Sequence, residues 1–393
     1  MTLIKYYVIV IIAGGVIMAL TDLSKNVRRY MKLQKLSIPQ LAAKSSLGTA
    51  TLSNILNGKS APNSSTLIKI SSALGVSFPE LLAEIPKLKT LRFRTKSKLT
   101  AREVAERDQV EIDSAIWLKN YVDLEELTGT KSVFKFDKIT ATNPMEAAKE
   151  VRKLCKIKDA EPIYDLVSLV EGAGIKLYLN DFNFQKTFGL SVNKEDGGPA
   201  IIVNNSEAIS VERKIFTIAH ELGHLLLHKS SFDGEVSEEN NAEEKQADMF
   251  AGELLMPEEA FFKQWEAHRG ISWIDAVLQI KQYFGVSYQT VLYRLNDLMK
   301  DRFPSGYLHK EFARLYRQKY GHDLKNHYEP NSIADIAPAK NEPKELSSFN
   351  FTEERFERLV RQAYEQEKIS ISRAAEILNL SAEEMRERVA EWL

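Results

Sequence analysis

Residues 220–224 read His-Glu-Leu-Gly-His, and that spacing defines a chemistry. Four residues make about one helical turn, so both imidazoles stand on one face and can reach a single metal ion, with Glu221 turned toward the same place. In a chain with seven histidines the pattern would arise by chance in roughly one sequence in a hundred. Two imidazoles beside a free carboxylate are parts of a zinc hydrolase. Zinc polarises a carbonyl and acidifies water, and Glu221 takes the water's proton and passes it to a leaving amine. Peptide-bond hydrolysis is the reaction implied.

Zinc in such sites takes three protein ligands and keeps an open position, so a third ligand must follow downstream. A histidine six residues beyond His224 would complete one zinc pattern, but Ser230 stands there. His228 lies roughly 12 Å along the helix axis from His220, too far to share the ion. It reads as a contact behind a ligand, a substrate contact or the end of the helix. The segment Glu243-Glu244-Lys245-Gln246-Ala247-Asp248 offers more. Glu244 and Asp248 are four apart on a predicted helix, so one can bind metal while the other accepts a hydrogen bond from a ligating imidazole. Glu243 is the alternative register. The oxyanion stabiliser is open among His228, His268 and Tyr178.

The run Arg213-Lys214-Ile215-Phe216-Thr217-Ile218-Ala219-His220-Glu221-Leu222-Gly223-His224-Leu225-Leu226-Leu227-His228 resembles the ImmA/IrrE family of metallo-endopeptidases. Glu244-x-x-Ala247-Asp248-x-Phe250-Ala251 and Leu254-Leu255-Met256-Pro257 carry the resemblance further, which extends from about Pro162 to Leu298. It implies a gluzincin-like fold with one zinc ion per chain on His220, His224 and Glu244. Glu221 is then the catalytic base. Asp248, where many members carry asparagine, supports a ligand from behind, and His228 is placed in the same shell. The resemblance also implies a substrate: a helix-turn-helix repressor, cleaved to release a stress or mobile-element response.

Charge separates another part of the chain. The whole sequence has a net charge of −1, yet Asp22 to Lys98 holds fourteen basic against three acidic residues, an excess that favours a polyanion. Within it, Ser37 and Pro39 open a predicted helix, Thr49 to Asn57 forms another ended by Gly58, and a third runs from Thr66 to Leu74 before Gly75. The segment resembles the XRE (Cro/cI-like) DNA-binding domain. By that likeness Thr49, Ala50, Thr51 and Asn54 face the bases of double-stranded DNA and Lys59 a phosphate. Two departures stand out: Ser46 replaces the usual turn glycine, and the base-reading positions lack the Gln or Arg that makes bidentate contacts. Leu91 to Lys98 reads as a phosphate-contacting linker or a solvated strand.

The elements that must position the metal residues follow. Thr100 to Leu127 is a predicted helix stopped by Gly129, and Pro162 opens another. Ile175–Leu179, Phe188–Val192 and Ala200–Val203 read as short strands, so a small sheet precedes the metal-binding helix. Ser230 to Asn241 reads as a loop, and Trp273 to Met299 as helices beneath the site. Asn331 to Asn350 has linker composition. Glu353 to Leu393 reads as three helices capped by Ser370 and Ser381, and its four late glutamates make a phosphate partner unsuitable there. A protein-contact or sensing role fits better. The lone Cys155 excludes an internal disulfide, suits a reducing compartment and reads as a small buried apolar residue.

Tyr6 to Leu20 is nearly all apolar, but these fifteen residues fall short of the roughly twenty needed to span hydrocarbon. The alternatives are a leader upstream of a true start at Met18, a short anchor, or an export signal lacking a small-x-small cleavage site. Lys25, Arg28 and Arg29 would hold an anchored body in the cytoplasm, on the inner face of the membrane.

The expectation is an α+β protein: residues 1–21 a leader or anchor, 22–86 an all-α helix-turn-helix domain, 87–160 a helical linker region, 161–300 a zinc metallopeptidase domain with a small sheet, and 301–393 a helical tail. The expected function is a cytoplasmic zinc endopeptidase and DNA-binding regulator. Its partners are a repressor substrate and duplex DNA; a homodimer is a further option, and membrane contact requires a retained leader. The alternative is a DNA-binding repressor or antitoxin that keeps the peptidase fold for sensing or binding.

Overall fold

Local capping chemistry sets the first helices. In this computed structural model, which describes residues 16–34, 36–76, 81–92, 100–182, 187–232, 240–299, 302–304, 306–324, 328–333 and 355–392, four helices open the chain. They are α1 (Val16–Leu33), α2 (Ile38–Ser45), α3 (Thr49–Leu56) and α4 (Ser64–Leu74). Ser37 accepts from the Gln40 N–H, and Gln40 Oε1 accepts from the Ser37 N–H at 2.8 Å, a reciprocal cap. Asn63 accepts from the Thr66 N–H at 2.8 Å, which starts α4 at Ser64 rather than at Thr66. Leu23, Val27, Leu41, Leu52, Ile55 and Ile70 form the core between them. Arg28 donates to Leu56 O at 3.2 Å and Asn57 Oδ1 at 2.9 Å, satisfying the carbonyl end of α3.

Ser46 closes α2 in the left-handed region, at φ 53 and ψ 42, with its N–H on Ala42 O and Ala43 O. A Cβ there costs energy that glycine escapes, although glycine also loses more chain entropy on folding. Ser46→Gly is therefore expected to stabilise these helices by about 0.5–1 kcal/mol. Urea denaturation of the two proteins would check this, and a less stable variant would refute it.

The chain divides into two compact units: Met1–Lys87 with Asp108–Ile116 and Asn379–Ser381, and Leu88–Arg107 with Trp117–Leu378 and Ala382–Leu393. The helix α5 (Ala101–Thr128) starts at a Thr100–Glu103 capping box and stops at Gly129. Residues 87–160 contribute to both units. Residues 93–99, most of the anticipated linker strand, lie outside the described residues, as do 1–15, 233–239 and 334–350. Among the described residues no helix is long and apolar enough to cross a membrane.

Among the described residues the sheet has four strands, the three expected before the helix of His220 and one at the start of the segment read as a linker or a strand: β1 (Leu91–Arg92), β2 (Lys176–Asn180), β3 (Gly189–Val192) and β4 (Ala200–Asn204), in the order β1-β3-β4-β2. β3 is antiparallel to β1 and β4, while β2 and β4 run parallel with Leu177 opposite Ile201. Every β4 residue is buried, as a central strand covered on both faces requires. Before the sheet come α6 (Pro144–Leu154), capped by Asn143, and α7 (Leu166–Gly172). The latter corrects the Pro162 start: Asp165 accepts from the Ser168 N–H, so the helix begins where its cap is. Cys155 ends α6 only half-buried, against the expectation of a buried residue.

Across the sheet lies α8 (Val211–Leu227), followed by α9 (Asn241–Leu255), α10 (Glu258–Ala267), α11 (Trp273–Phe284), α12 (Tyr288–Leu298) and α13 (Tyr307–Tyr320). Leu177, Ile201, Ile218, Leu222, Phe250 and Val277 belong to one continuous core. Two glycines decide how close the elements come. A Cβ on Gly223 would lie 3.0 Å from Phe250 Cδ1 and 3.3 Å from Ala247 Cα, so α8 and α9 cross there nearly backbone to backbone. A Cβ on Gly189 would lie 2.5 Å from Thr217 Cγ2 and 3.2 Å from Glu221 Cγ, so β3 lies directly against α8. The tail forms α14 (Arg355–Glu365), α15 (Ile371–Leu378) and α16 (Ala382–Trp392). Arg355 joins it to α5 through Tyr121 OH at 2.8 Å and Glu125 Oε1 at 2.7 Å.

Candidate metal centre

The close crossing at Gly223 brings the Glu244 carboxylate of α9 onto the histidine face of α8. Glu244 Oε1 lies 3.1 Å from His224 Nε2 and Glu244 Oε2 lies 3.3 Å from His220 Nε2. The two Nε2 atoms are 3.0 Å apart. Donor atoms of His220, His224 and Glu244 all fall within 4.8 Å of one another, and these three form the only such group among the described residues. Two imidazole nitrogens and one carboxylate oxygen suit zinc, and fit its preference for three protein ligands.

Contacts behind the two histidines bear on which ring nitrogen would face a metal. His220 Nδ1 is 2.8 Å from Asp248 Oδ1, an acceptor, so Nδ1 carries a proton and Nε2 is the nitrogen that would bind a metal, giving up its own proton to do so. On His224 the same result needs a longer chain. Its Nδ1 meets His228 Nδ1 at 2.8 Å, and His228 Nε2 meets Gln246 Oε1 at 2.8 Å. The amide oxygen accepts only, which puts the His228 proton on Nε2 and leaves His228 Nδ1 to accept from His224. His224 Nε2 is thereby the ring nitrogen that would turn to a metal. His228 both caps the end of α8 and stands behind His224, two of the readings open for it.

The electrostatics favour a cation at this point. Burial disfavours a charged His220, but the hydrogen bonds to Asp248 and Glu244 outweigh it and push its pKa up to about 9. Burial likewise opposes the charged form of Glu244, yet hydrogen bonds from His220 and His224 hold its carboxyl well below the usual range. The carboxylate is thus ionised and paired before any metal arrives.

Glu221 stands apart from the ligand group. Its Oε2 accepts from Ser191 Oγ at 2.7 Å, and both residues are buried. It lines a cavity of about 460 Å³ with His220, His224, Arg213, Gln289 and Tyr293. A carboxylate oriented from β3, beside but outside the metal ligands, is placed to receive a proton.

Residues 170–296 match the family model for the IrrE N-terminal-like domain, and residues 27–81 match one for a helix-turn-helix. The chain thus carries a helix-turn-helix segment and, after it, an IrrE N-terminal-like segment. A comparison with curated proteins finds no match.

Other expected residues fall elsewhere. Glu243 turns away from the ligands, accepting from Ser231 Oγ at 2.7 Å and Asn240 Nδ2 at 3.1 Å. Neither oxyanion candidate on other elements lines the cavity of the IrrE N-terminal-like domain. His268 ends α10 with Nδ1 on Gln264 O at 2.7 Å, and Tyr178 stacks on Trp117 at 4.6 Å. In the helix-turn-helix domain, Thr49, Ala50, Thr51, Asn54 and Lys59 are all exposed while Leu52, Ile55 and Leu56 are buried. One face of α3 is therefore free for a groove.

Sequence reading passed over Ser191, Gln246 and Arg213 as site residues. Ser191 had a faint signal, since it shares the face of β3 with Gly189, the residue that touches the metal-binding helix. Gln246 is a common residue on an exposed helical position, and only its meeting with His228 gives it a role.

Proposed function

We propose that the IrrE N-terminal-like domain is a zinc-dependent endopeptidase and that its substrate is a helix-turn-helix repressor, cleaved to derepress a stress or mobile-element response. One zinc ion would be held by His220, His224 and Glu244, supplying a Lewis acid for the scissile carbonyl and a more acidic water. Glu221 then takes a proton at its carboxylate and returns it to the departing amine nitrogen. Asp248, His228 and Gln246 keep the ring tautomers fixed. Ser191 keeps Glu221 aimed into the cavity. The observation that carries this reading is the division of labour: three donors converge, while a fourth group, the Glu221 carboxylate, is held separately by its own hydrogen bond. A protein that used the fold only for binding would have no need of that fourth group.

The test combines metal content with cleavage. Purified full-length protein should hold about one zinc, and His220→Ala or Glu244→Ala should lose it, because two remaining ligands do not sustain a zinc site. Co-expression with small helix-turn-helix repressors encoded beside this chain should yield fragments only where the metal is retained. Intact repressors together with normal regulation in cells would favour the non-catalytic repressor or antitoxin reading.

The helix-turn-helix domain would bind duplex DNA, which places the work of the protein in the cytoplasm. Affinity should fall on the order of a thousandfold between about 50 and 200 mM salt, as expected for several phosphate contacts. Lys59→Ala should weaken binding to random sequence more than Thr51→Ala, because phosphates dominate the non-specific affinity. Salt-insensitive binding would assign α3 to protein docking instead.

A further inference from the structure

We propose that Arg213 forms a carboxylate-binding subsite of the cleft, selecting peptides with an acidic group a few residues from the scissile bond. This rests on the peptidase reading. Arg213 is in the first turn of α8, seven residues before His220, and so shares its face two turns away. That separation is about 10 Å along the axis, the reach of roughly three residues of extended peptide. Arg213 lines the same cavity as His220 and Glu221.

Its surroundings leave a ligand unaccounted for. The guanidinium lies over the Phe188 ring, 4.2 Å from the centroid, and 5.9 Å from that of Phe216. Its Nε is sealed from solvent with no hydrogen-bond partner among the described residues. Burial pulls its pKa down, and Asp248 and Tyr293 push back through space rather than by hydrogen bonds. A sealed, unpartnered Nε on a half-buried guanidinium is costly, and ring stacking leaves the planar edge available to a bidentate carboxylate. The second guanidinium lining the cavity, the buried Arg294, is already held by Glu253 Oε2 and by Met256 O. Lys245 is exposed and brings a point charge on a flexible stem. Since Glu221, Glu244, Asp248 and Asp297 also line the cavity, an acidic peptide would be repelled without a dedicated cation. Arg213 fills that role.

Binding tests this without relying on turnover. The probes are acetylated, amidated alanine hexapeptides with one Glu walked along the chain, their Gln counterparts, and the all-alanine peptide as free acid and as amide. They are titrated by fluorescence anisotropy against zinc-supplemented full-length Glu221→Gln. One Glu register should bind at least about tenfold tighter than its Gln twin, as a desolvated bidentate pair warrants. Arg213→Gln should abolish the difference, and Arg213→Glu should transfer the preference to a Lys peptide. Arg213→Lys keeps the charge facing Asp248 and serves where Arg213→Gln fails to fold; it should retain only a fewfold preference. If the anion is a chain end, the free acid should beat the amide while the Glu walk stays flat. Equal binding of every acid and its neutral twin, no binding at all, or a preference that survives Arg213→Gln would overturn the inference. Acid-dependent binding of peptides that wild type never cleaves would count against the peptidase reading alone.

Discussion

Glu221→Gln should retain zinc and fold while peptide hydrolysis falls by at least about a hundredfold, the usual loss for a missing general base. The substitution is nearly isosteric. Its amide oxygen can still accept from Ser191 Oγ, the contact now made at 2.7 Å, so the side chain should stay in place. What it loses is the ability to take a proton. His220→Ala and Glu244→Ala should abolish activity by a different route, through loss of the metal. Measuring zinc alongside cleavage separates the two. Ser191→Ala should lower kcat by roughly tenfold with KM and zinc unchanged, since it removes one hydrogen bond to a charged group and touches neither ligand nor cleft wall. Cleavage by Glu221→Gln at the wild-type rate would remove the base from Glu221 and leave the proposal without a mechanism.

What could be read from the sequence follows from helical periodicity. The His220/His224 pair and the Glu244/Asp248 pair are each four apart, so their faces were known before their elements were placed in space. The caps Ser37, Thr100 and Ser370 were legible too, because a cap is a local hydrogen bond. Arg373 N does donate to Ser370 Oγ, at 3.2 Å. Asn143-Pro144 carried the same signal for α6 and was passed over. The parts that resisted reading are those made by tertiary approach. Nothing local says that β2 pairs parallel with β4, or that Leu91–Arg92 adds a fourth strand beside β3. Gly223 looked like one variable position inside a motif, yet its missing Cβ lets Glu244 reach the histidines. Axial distance separates His228 from His220, but its place behind His224 depends on Gln246, from another helix.

The largest stability effect is expected at Lys281, which is fully buried in α11. Its Nζ donates to Glu212 Oε1 at 3.0 Å and to the carbonyls of Pro330 at 3.0 Å and Asn331 at 2.9 Å, and lies 3.2 Å from Glu329 Oε1. Glu212 also accepts from the Ile333 N–H at 2.7 Å, which ties the first turn of α8 to residues 328–333. Lys281→Met would leave two carboxylates buried without their cation and should cost about 3–5 kcal/mol. Two carboxylates share this one ammonium. Burial pushes the Glu329 carboxyl up to about 7; Glu212 adds to the rise, while Lys281 and the Tyr288 N–H oppose it. A folded pKa above the unfolded 4.5 means the fold prefers the protonated form. This contribution is therefore complete below pH 4.5 and lost as pH rises to 7, amounting to at most about 3 kcal/mol. Glu329→Gln mimics the neutral carboxyl at every pH. Relative to wild type it should be nearly neutral at acidic pH and stabilising above pH 7, whereas Lys281→Met should be more damaging at the higher pH. Hydrogen exchange of the α11 amides at the two pH values would measure both, and a Glu329→Gln effect that does not change with pH would show that Glu329 is already ionised in the folded protein.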